Sequence, residues 1–208
     1  MTPRLHVLTS STLAAGIAAG IALFSLPAAA ERPLPEWPSW EAIRLIELGE
    51  GALLRHEFSA AVRLAERAVE LRPGEAQTWA FLARTGLRAR NWPRAQTASG
   101  KWLALAPKDP QALFFAAQAR FLSEQVEAAI PLFRRLADQS ADDPAGPLGL
   151  ALCAARQGDW SAMEEQLQEA QRRAPDLLLA SLPLEEPWSF LAASQEGLEV
   201  LDRVLSAP

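Results

Sequence analysis

The chain has 208 residues, half of them apolar and 22% charged, with a net charge of −5. That is enough apolar material for a sizeable core and too little charge for a disordered chain, and the acidic balance argues against a nucleic-acid footprint. One cysteine, Cys153, excludes an intramolecular disulfide, and two histidines, His6 and His56, leave little for metal or acid–base chemistry.

Residues 1–30 contain no acid and one basic side chain, Arg4. Their apolar run extends only from Leu13 to Leu26. That is short of the ~20 residues a spanning helix needs and within the ~7–15 of a signal-peptide core. Pro27 breaks the run, and Ala28, Ala29 and Ala30 supply the small residues of a cleavage site. The segment reads as a cleaved export signal, with Glu31 opening the mature chain. Left uncleaved, Val7 to Leu26 would be an N-terminal anchor, the one route by which this chain would touch a membrane. Either way the remainder is expected in the periplasm or an equivalent extracytoplasmic compartment. Residues 31–38, with Pro33, Pro35 and Pro38, predict an extended linker.

From there the sequence repeats. Segments 42–75, 76–109, 110–143 and 144–177 align without a gap, within a repeat region spanning 39–177. A wedge residue recurs at Phe58, Trp92, Val126 and Trp160. A packing residue recurs at Ala61, Ala95, Ala129 and Met163. Leu48, Leu82, Ala116 and Leu150 form another column, followed in each unit by a small residue: Gly49, Ala83, Ala117 and Ala151. A helix stop recurs at Pro73, Pro107 and Pro175, with Ala141 the exception. In the second unit Trp79, Leu82 and Gly86 form one helical stripe, while Ala95, Ser99, Trp102 and Leu105 form another. Asn91 and Trp92 make the turn between them. Asp109-Pro110 and Asp143-Pro144 predict capped helix starts. Each unit is thus two helices, and only stacking buries their stripes. Pro131 falls inside the third unit's second helix and predicts a bend there.

These columns resemble the tetratricopeptide repeat, whose pattern is W-x2-L-G-x2-Y, A-x3-F and P at a period of about 34. The first unit supplies Leu45-x2-Leu48-Gly49-x2-Ala52, Ala61-x3-Ala65 and Pro73. The second supplies Trp79-x2-Leu82-Ala83, Ala95-x3-Ser99 and Pro107. The third keeps Ala129-x3-Phe133, and the fourth keeps Leu150-Ala151, Met163-x3-Leu167 and Pro175. The tyrosine column departs, holding Ala52, Gly86, Arg120 and Ala154. Arg120 there suggests a carboxylate partner or a more exposed unit. The resemblance implies an all-α, right-handed α-solenoid of four helix-turn-helix units. After Pro175 the register stops, and residues 178–208 predict a C-terminal capping helix at roughly 187–205. Leu184, Trp188, Leu191, Leu198, Leu201 and Leu205 would make its apolar face.

No constellation of residues proposes a reaction. His56 stands at a turn, three repeats from Cys153. Asp142-Asp143, Glu164-Glu165 and Glu185-Glu186 read as solvated surface, and no phosphate loop or metal cluster is present. No cofactor is expected.

In the family resembled, the first helices line a concave groove that peptides occupy. Carried over, the groove pocket would be Leu87, Phe114 and Phe121, with Arg84, Arg88 and Arg156 as anion donors. Gln111, Gln118, Leu148 and Leu152 would flank them. The lysine–asparagine clamp of the family's chaperone-tail binders is not reproduced. The resemblance implies a scaffold or adaptor for a protein or peptide partner, with assembly of an envelope or membrane complex as one setting. A structural subunit of a larger complex, or an accessory domain of an envelope enzyme, stay open as alternatives. N-terminal sequencing of the accumulated chain is expected to read Glu31-Arg32-Pro33; a retained Met1 would mean an uncleaved anchor.

Overall fold

The structure, a computed structural model, describes residues 39–175 and 188–206. The export signal at 1–30, the linker at 31–38 and Leu184 lie outside the described residues. Helices α1 (Ser39–Leu54) and α2 (Phe58–Leu71) form the first unit. Helices α3 (Ala76–Arg88) and α4 (Trp92–Leu105) form the second, and α5 (Pro110–Leu122) and α6 (Val126–Gln139) the third. Helices α7 (Ala145–Gln157) and α8 (Trp160–Arg173) form the fourth, followed by a 3₁₀ segment (Ser189–Ala193) and α9 (Gln195–Ser206). Every described element is helical. Each of α1 to α8 packs on the next, and α1, α3, α5 and α7 also touch one another in turn, which places them along one face.

The small columns do what their size suggests. Ala83, Ala117 and Ala151 have no accessible surface. A Cβ at Gly49 would run into the ring of Phe81 on the next unit. Gly86 explains one missing tyrosine: its own Cβ would sit 2.9 Å from the backbone nitrogen of Ala95, so α3 and α4 close on each other where the ring is absent. Arg120, in the same column, is half-buried and donates to the carbonyl of Ala116, 3.1 Å away on its own helix.

The inter-helix turns within the four units are built alike. His56, Arg90, Glu124 and Gly158, each one repeat after the last, have φ of 60°, 54°, 62° and 75°. The next amide in each case returns to the first helix: Glu57 to Ala52, Asn91 to Gly86, Gln125 to Arg120 and Asp159 to Ala154, at 2.8–3.0 Å. This is the Schellman closure of a helix end. Three of the four left-handed positions carry a side chain, at a cost of about 1–2 kcal/mol each. Two of the following helices start on side-chain caps, Asn91 to the amide of Arg94 and Asp159 to that of Ala162. Asp109 caps α5, and Asp143, one residue before the N-cap Pro144 of α7, accepts from the amide of Ala145 at 2.9 Å. Helix α6 runs on through Pro131, which is exposed, so water can take the carbonyl that the proline leaves without a donor.

The first described unit differs from the later ones at positions that they pack. Arg44 and Glu47 stand where later units have Thr78, Ala112 and Gly146, or Phe81, Phe115 and Gly149. The matching Leu48 is 53% exposed, whereas Leu82 is 6% exposed and Ala116 fully buried.

At the C-terminal end the last helix packs on the fourth unit as a cap, and some of its buried residues recur at the repeat spacing. Gly197, Leu201 and Val204 fall one repeat after Met163, Leu167 and Ala170, and all are buried. Trp188 falls in the tyrosine column, one repeat after Ala154, and is 6% exposed. The described residues of this segment cap the fourth unit, with side chains placed at the repeat's own spacing. The helix expected over 187–205 is two pieces, because the hydroxyl of Ser194 accepts from the amide of Gly197 at 3.1 Å and starts α9 afresh. The new start resets the helical phase. Val200 and Val204 therefore face inward, while Leu198 and Leu205 are 40% and 44% exposed.

The third unit, lacking the proline of its column, is closed from its neighbour. Arg173 of α8 donates to the carbonyls of Ala137 and Ser140, at 3.1 and 3.0 Å, and its Nε donates to Glu169 at 2.8 Å. Its side chain is only 16% exposed. Removing a part-buried charged donor leaves carbonyls unsatisfied, so Arg173→Ala is expected to lower unfolding stability by about 2 kcal/mol. Urea denaturation checks this; an unchanged midpoint would contradict the role.

Candidate partner-binding groove

A cavity of about 580 Å³ lies between the second and third units. Helix α3 contributes Arg84, Leu87 and Arg88 to it. The turn and the start of α4 contribute Arg90 and Trp92, and α5 contributes Phe115, Gln118 and Leu122. Its size is that of a small-molecule or side-chain pocket, about 300–1,000 Å³.

Three guanidinium groups line this space under different constraints. Arg84 is held by Glu50, 2.6 Å away on the preceding unit, and its Cζ lies 5.7 Å from the Phe81 ring centroid. Arg90 lies over Trp92 at 5.9 Å, a cation–π arrangement. Arg88 is exposed and makes no hydrogen bond or ion pair with the described residues. The walls between them are apolar, so an incoming anion would find fixed positive charge at the edge of a partly dry surface.

The groove residues expected from the sequence separate into three groups. Arg84, Leu87, Arg88 and Gln118 come together at the cavity. Phe121 and Leu152 do not: they are 6% and 3% exposed and belong to the core cluster. In the third and fourth units the stripe taken for the concave face turns inward at these positions, where α5 and α7 close on α6 and α8. Phe114 is also spent on packing, its ring edge-on to Phe115 at 5.8 Å and to Phe133 at 6.5 Å. Leu148 is half-buried against the same core, and Gln111 is exposed at the start of α5. Arg156 stands one unit further along, 5.2 Å over the Phe190 ring and 4.0 Å from Glu124.

Sequence reasoning missed Phe115, Trp92 and Arg90. Phe115 neighbours the residue chosen for the pocket, and it leans toward the second unit, 5.5 Å from Trp102. Trp92 reads as a buried wedge because of its column, yet it is only half-buried and lines the pocket. The signal that could have found Arg90 is the turn itself, since a charged residue in a left-handed position is strained and worth explaining.

No family model matches this sequence, and no curated protein matches it. Solved structures do. TTC0263, a thermophilic tetratricopeptide-repeat protein of Thermus thermophilus, superposes with a TM-score of 0.60 at 19% identity, covering 79% of this chain and 90% of its own. YrrB, a repeat protein with an unusual peptide-binding site, gives 0.57 at 17% identity, covering 79% of this chain and 84% of its own. The first such domain of Spaghetti (RPAP3), bound to an HSP90 peptide, gives 0.55 at 16%, covering 58% of this chain and 96% of its own. These likenesses establish the fold.

Among the described residues no group of three or more His, Cys, Asp or Glu could hold a metal ion. His56 is exposed, with its ring edge-on to Phe58 at 5.7 Å. Cys153 is 1% exposed within α7. Burial, and secondarily the Glu127 carboxylate, push its thiol up to about 12. At pH 8 only about one thiol in ten thousand would then be ionised. Ellman's reagent is therefore expected to leave the folded chain untouched at pH 8 and to titrate one thiol in denaturant. Rapid labelling of the native chain would contradict this burial.

Proposed function

We propose, starting from a tetratricopeptide-repeat solenoid, that this chain is an exported, non-catalytic adaptor that holds a protein or peptide partner on its concave face. The observation that carries this reading is the concavity at the second and third units. There Arg88 has no partner among the described residues and stands beside Trp92, Phe115 and Leu122. Solvent-facing aromatic and arginine side chains clustered in one concavity are the composition of a binding hot spot. Two fold neighbours, YrrB and the Spaghetti domain, carry a peptide site or a bound peptide. Export is supported by the sequence of residues 1–30, and the assembly of an envelope or membrane complex fits an adaptor placed there.

A second reading has an observation of its own. Trp40, Ile43, Leu48 and Leu54 on α1 are 55%, 46%, 53% and 81% exposed. So much apolar surface on one helix suits a subunit held permanently in a larger complex. The two readings differ in the purified chain: an adaptor stays monomeric, and an obligate subunit aggregates alone.

The test of the groove is a paired capture. The chain and its Leu87→Asp/Arg88→Glu variant are used as bait in envelope extracts, and bound proteins are quantified by mass spectrometry. The variant, with unchanged helical content, is expected to lose its specific partners at least tenfold, equivalent to about 1.4 kcal/mol. Equal recovery by both baits would remove the groove assignment.

A further inference from the structure

The concave face carries a periodic pattern that runs across units rather than along any helix. Leu54, Arg88, Leu122, Arg156 and Phe190 follow one another at intervals of one repeat, one in each of the four units and the last in the C-terminal cap. Apolar and arginine side chains alternate through all five. Side chains on such a column do meet across units. The Arg156 guanidinium lies 5.2 Å over the Phe190 ring, and in a parallel column Arg84 reaches Glu50 on the preceding unit. The column is therefore a row of adjacent rungs. Its apolar rungs are not all withdrawn, since Leu54 is 81% exposed. Its charged rungs are available. Arg88 has no hydrogen bond or ion pair among the described residues, and Arg156, stacked on Phe190, is still 45% exposed, with the 85% exposed Glu124 at 4.0 Å.

We propose that this ladder reads an extended acidic segment of a partner protein, with two carboxylates about six residues apart and apolar side chains between them. The proposal rests on the adaptor reading and names the partner's chemistry. Neighbouring helices on this face are about 10 Å apart, which puts Arg88 and Arg156 about 20 Å apart. An extended peptide advances about 3.3 Å per residue, so about six residues span that distance. In such a peptide every second side chain faces the same way. A pattern of Glu, any, apolar, any, apolar, any, Glu thus sets both carboxylates on the arginines and both apolar groups over Leu122. A helical segment would need about 13–14 residues for the same span, a much longer ordered stretch for the same two charges. Acidic partners also agree with the groove's existing chemistry: the carboxylates of Glu50 and Glu124 already occupy or approach its arginines.

The test uses the chain as it accumulates in the cell and three fluorescein-labelled peptides, read by anisotropy. The first is Gly-Gly-Glu-Ser-Leu-Ser-Leu-Ser-Glu-Gly-amide. The second has both Glu replaced by Gln, and the third has its two Glu only two residues apart. The first is expected to bind at least tenfold more tightly than either of the others, and to weaken steeply with salt. Arg88→Gln and Arg156→Gln should each cut its affinity about tenfold, with the thermal midpoint unchanged for exposed Arg88→Gln, and Arg156→Lys, which keeps the charge, should retain most of the binding. Glu124→Gln, which removes a competing carboxylate, should tighten it. Equal binding of the Gln peptide overturns the acidic rule while leaving the groove intact if Leu87→Asp/Arg88→Glu still abolishes partner capture. Equal binding of the closely spaced peptide overturns the ladder geometry. No binding by any peptide at millimolar concentration overturns the proposal. So does self-association of the chain that Arg88→Gln abolishes in sedimentation, since the occupant would then be a second copy.

Discussion

Two helices can approach closely only where the side chains between them nearly vanish. In this chain that condition recurs in each of the four repeats, at Gly49, Ala83, Ala117 and Ala151, and again in the fourth at Gly146 and Gly149, which meet the Ala137 backbone and the Phe133 ring. Gly86 adds a second close approach within the second unit, where its missing Cβ admits the backbone of Ala95. The consequences reach the surface. Because first helices of successive units touch, residues one repeat apart in sequence become lateral neighbours, as Glu50 and Arg84 are at 2.6 Å. A larger residue in the small column would do more than disturb local packing. It would spread the units, break these lateral contacts and change the spacing of every rung on the concave face.

The same stacking forces the ends of the solenoid to be different from its middle. At the start, Arg44 and Glu47 are exposed at positions where later units carry apolar and small residues. At the finish, Trp188, Gly197, Leu201 and Val204 continue the packing columns and cover the fourth unit. The ion pair of Arg203 with Glu164, at 2.8 Å, ties that cover across the boundary. Both ends thus use the repeat's own positions, one with charge and one with a capping helix.

Function, on this view, is a matter of which positions stacking leaves free. Arg173 is spent on the carbonyls that end the third unit, and Arg84 on Glu50. Arg88 has neither task and stands at the mouth of the concavity. The turns make a related point. His56, Arg90 and Glu124 hold left-handed backbone that glycine adopts without strain, and the fourth turn shows that glycine is accepted there. Arg90 also lines the cavity, so the strain falls at the rim of the proposed site.

By itself the sequence determined the helical repeat, its period, the turns and the columns that pack, because those follow from local spacing and side-chain size. It also pointed to Arg84, Leu87, Arg88 and Gln118 as residues of one face. It did not reveal that the cap keeps the repeat spacing at Gly197, Leu201 and Val204, since these columns are weak beyond a proline that looked like an ending. Only the tertiary structure decided that Phe121 and Leu152 turn into the core, that Phe115 and Trp92 wall the cavity, and that Ser194 resets the last helix. Those outcomes depend on how far neighbouring helices close on one another. That distance is set by several side chains from different units acting together, and no single position along the chain records it.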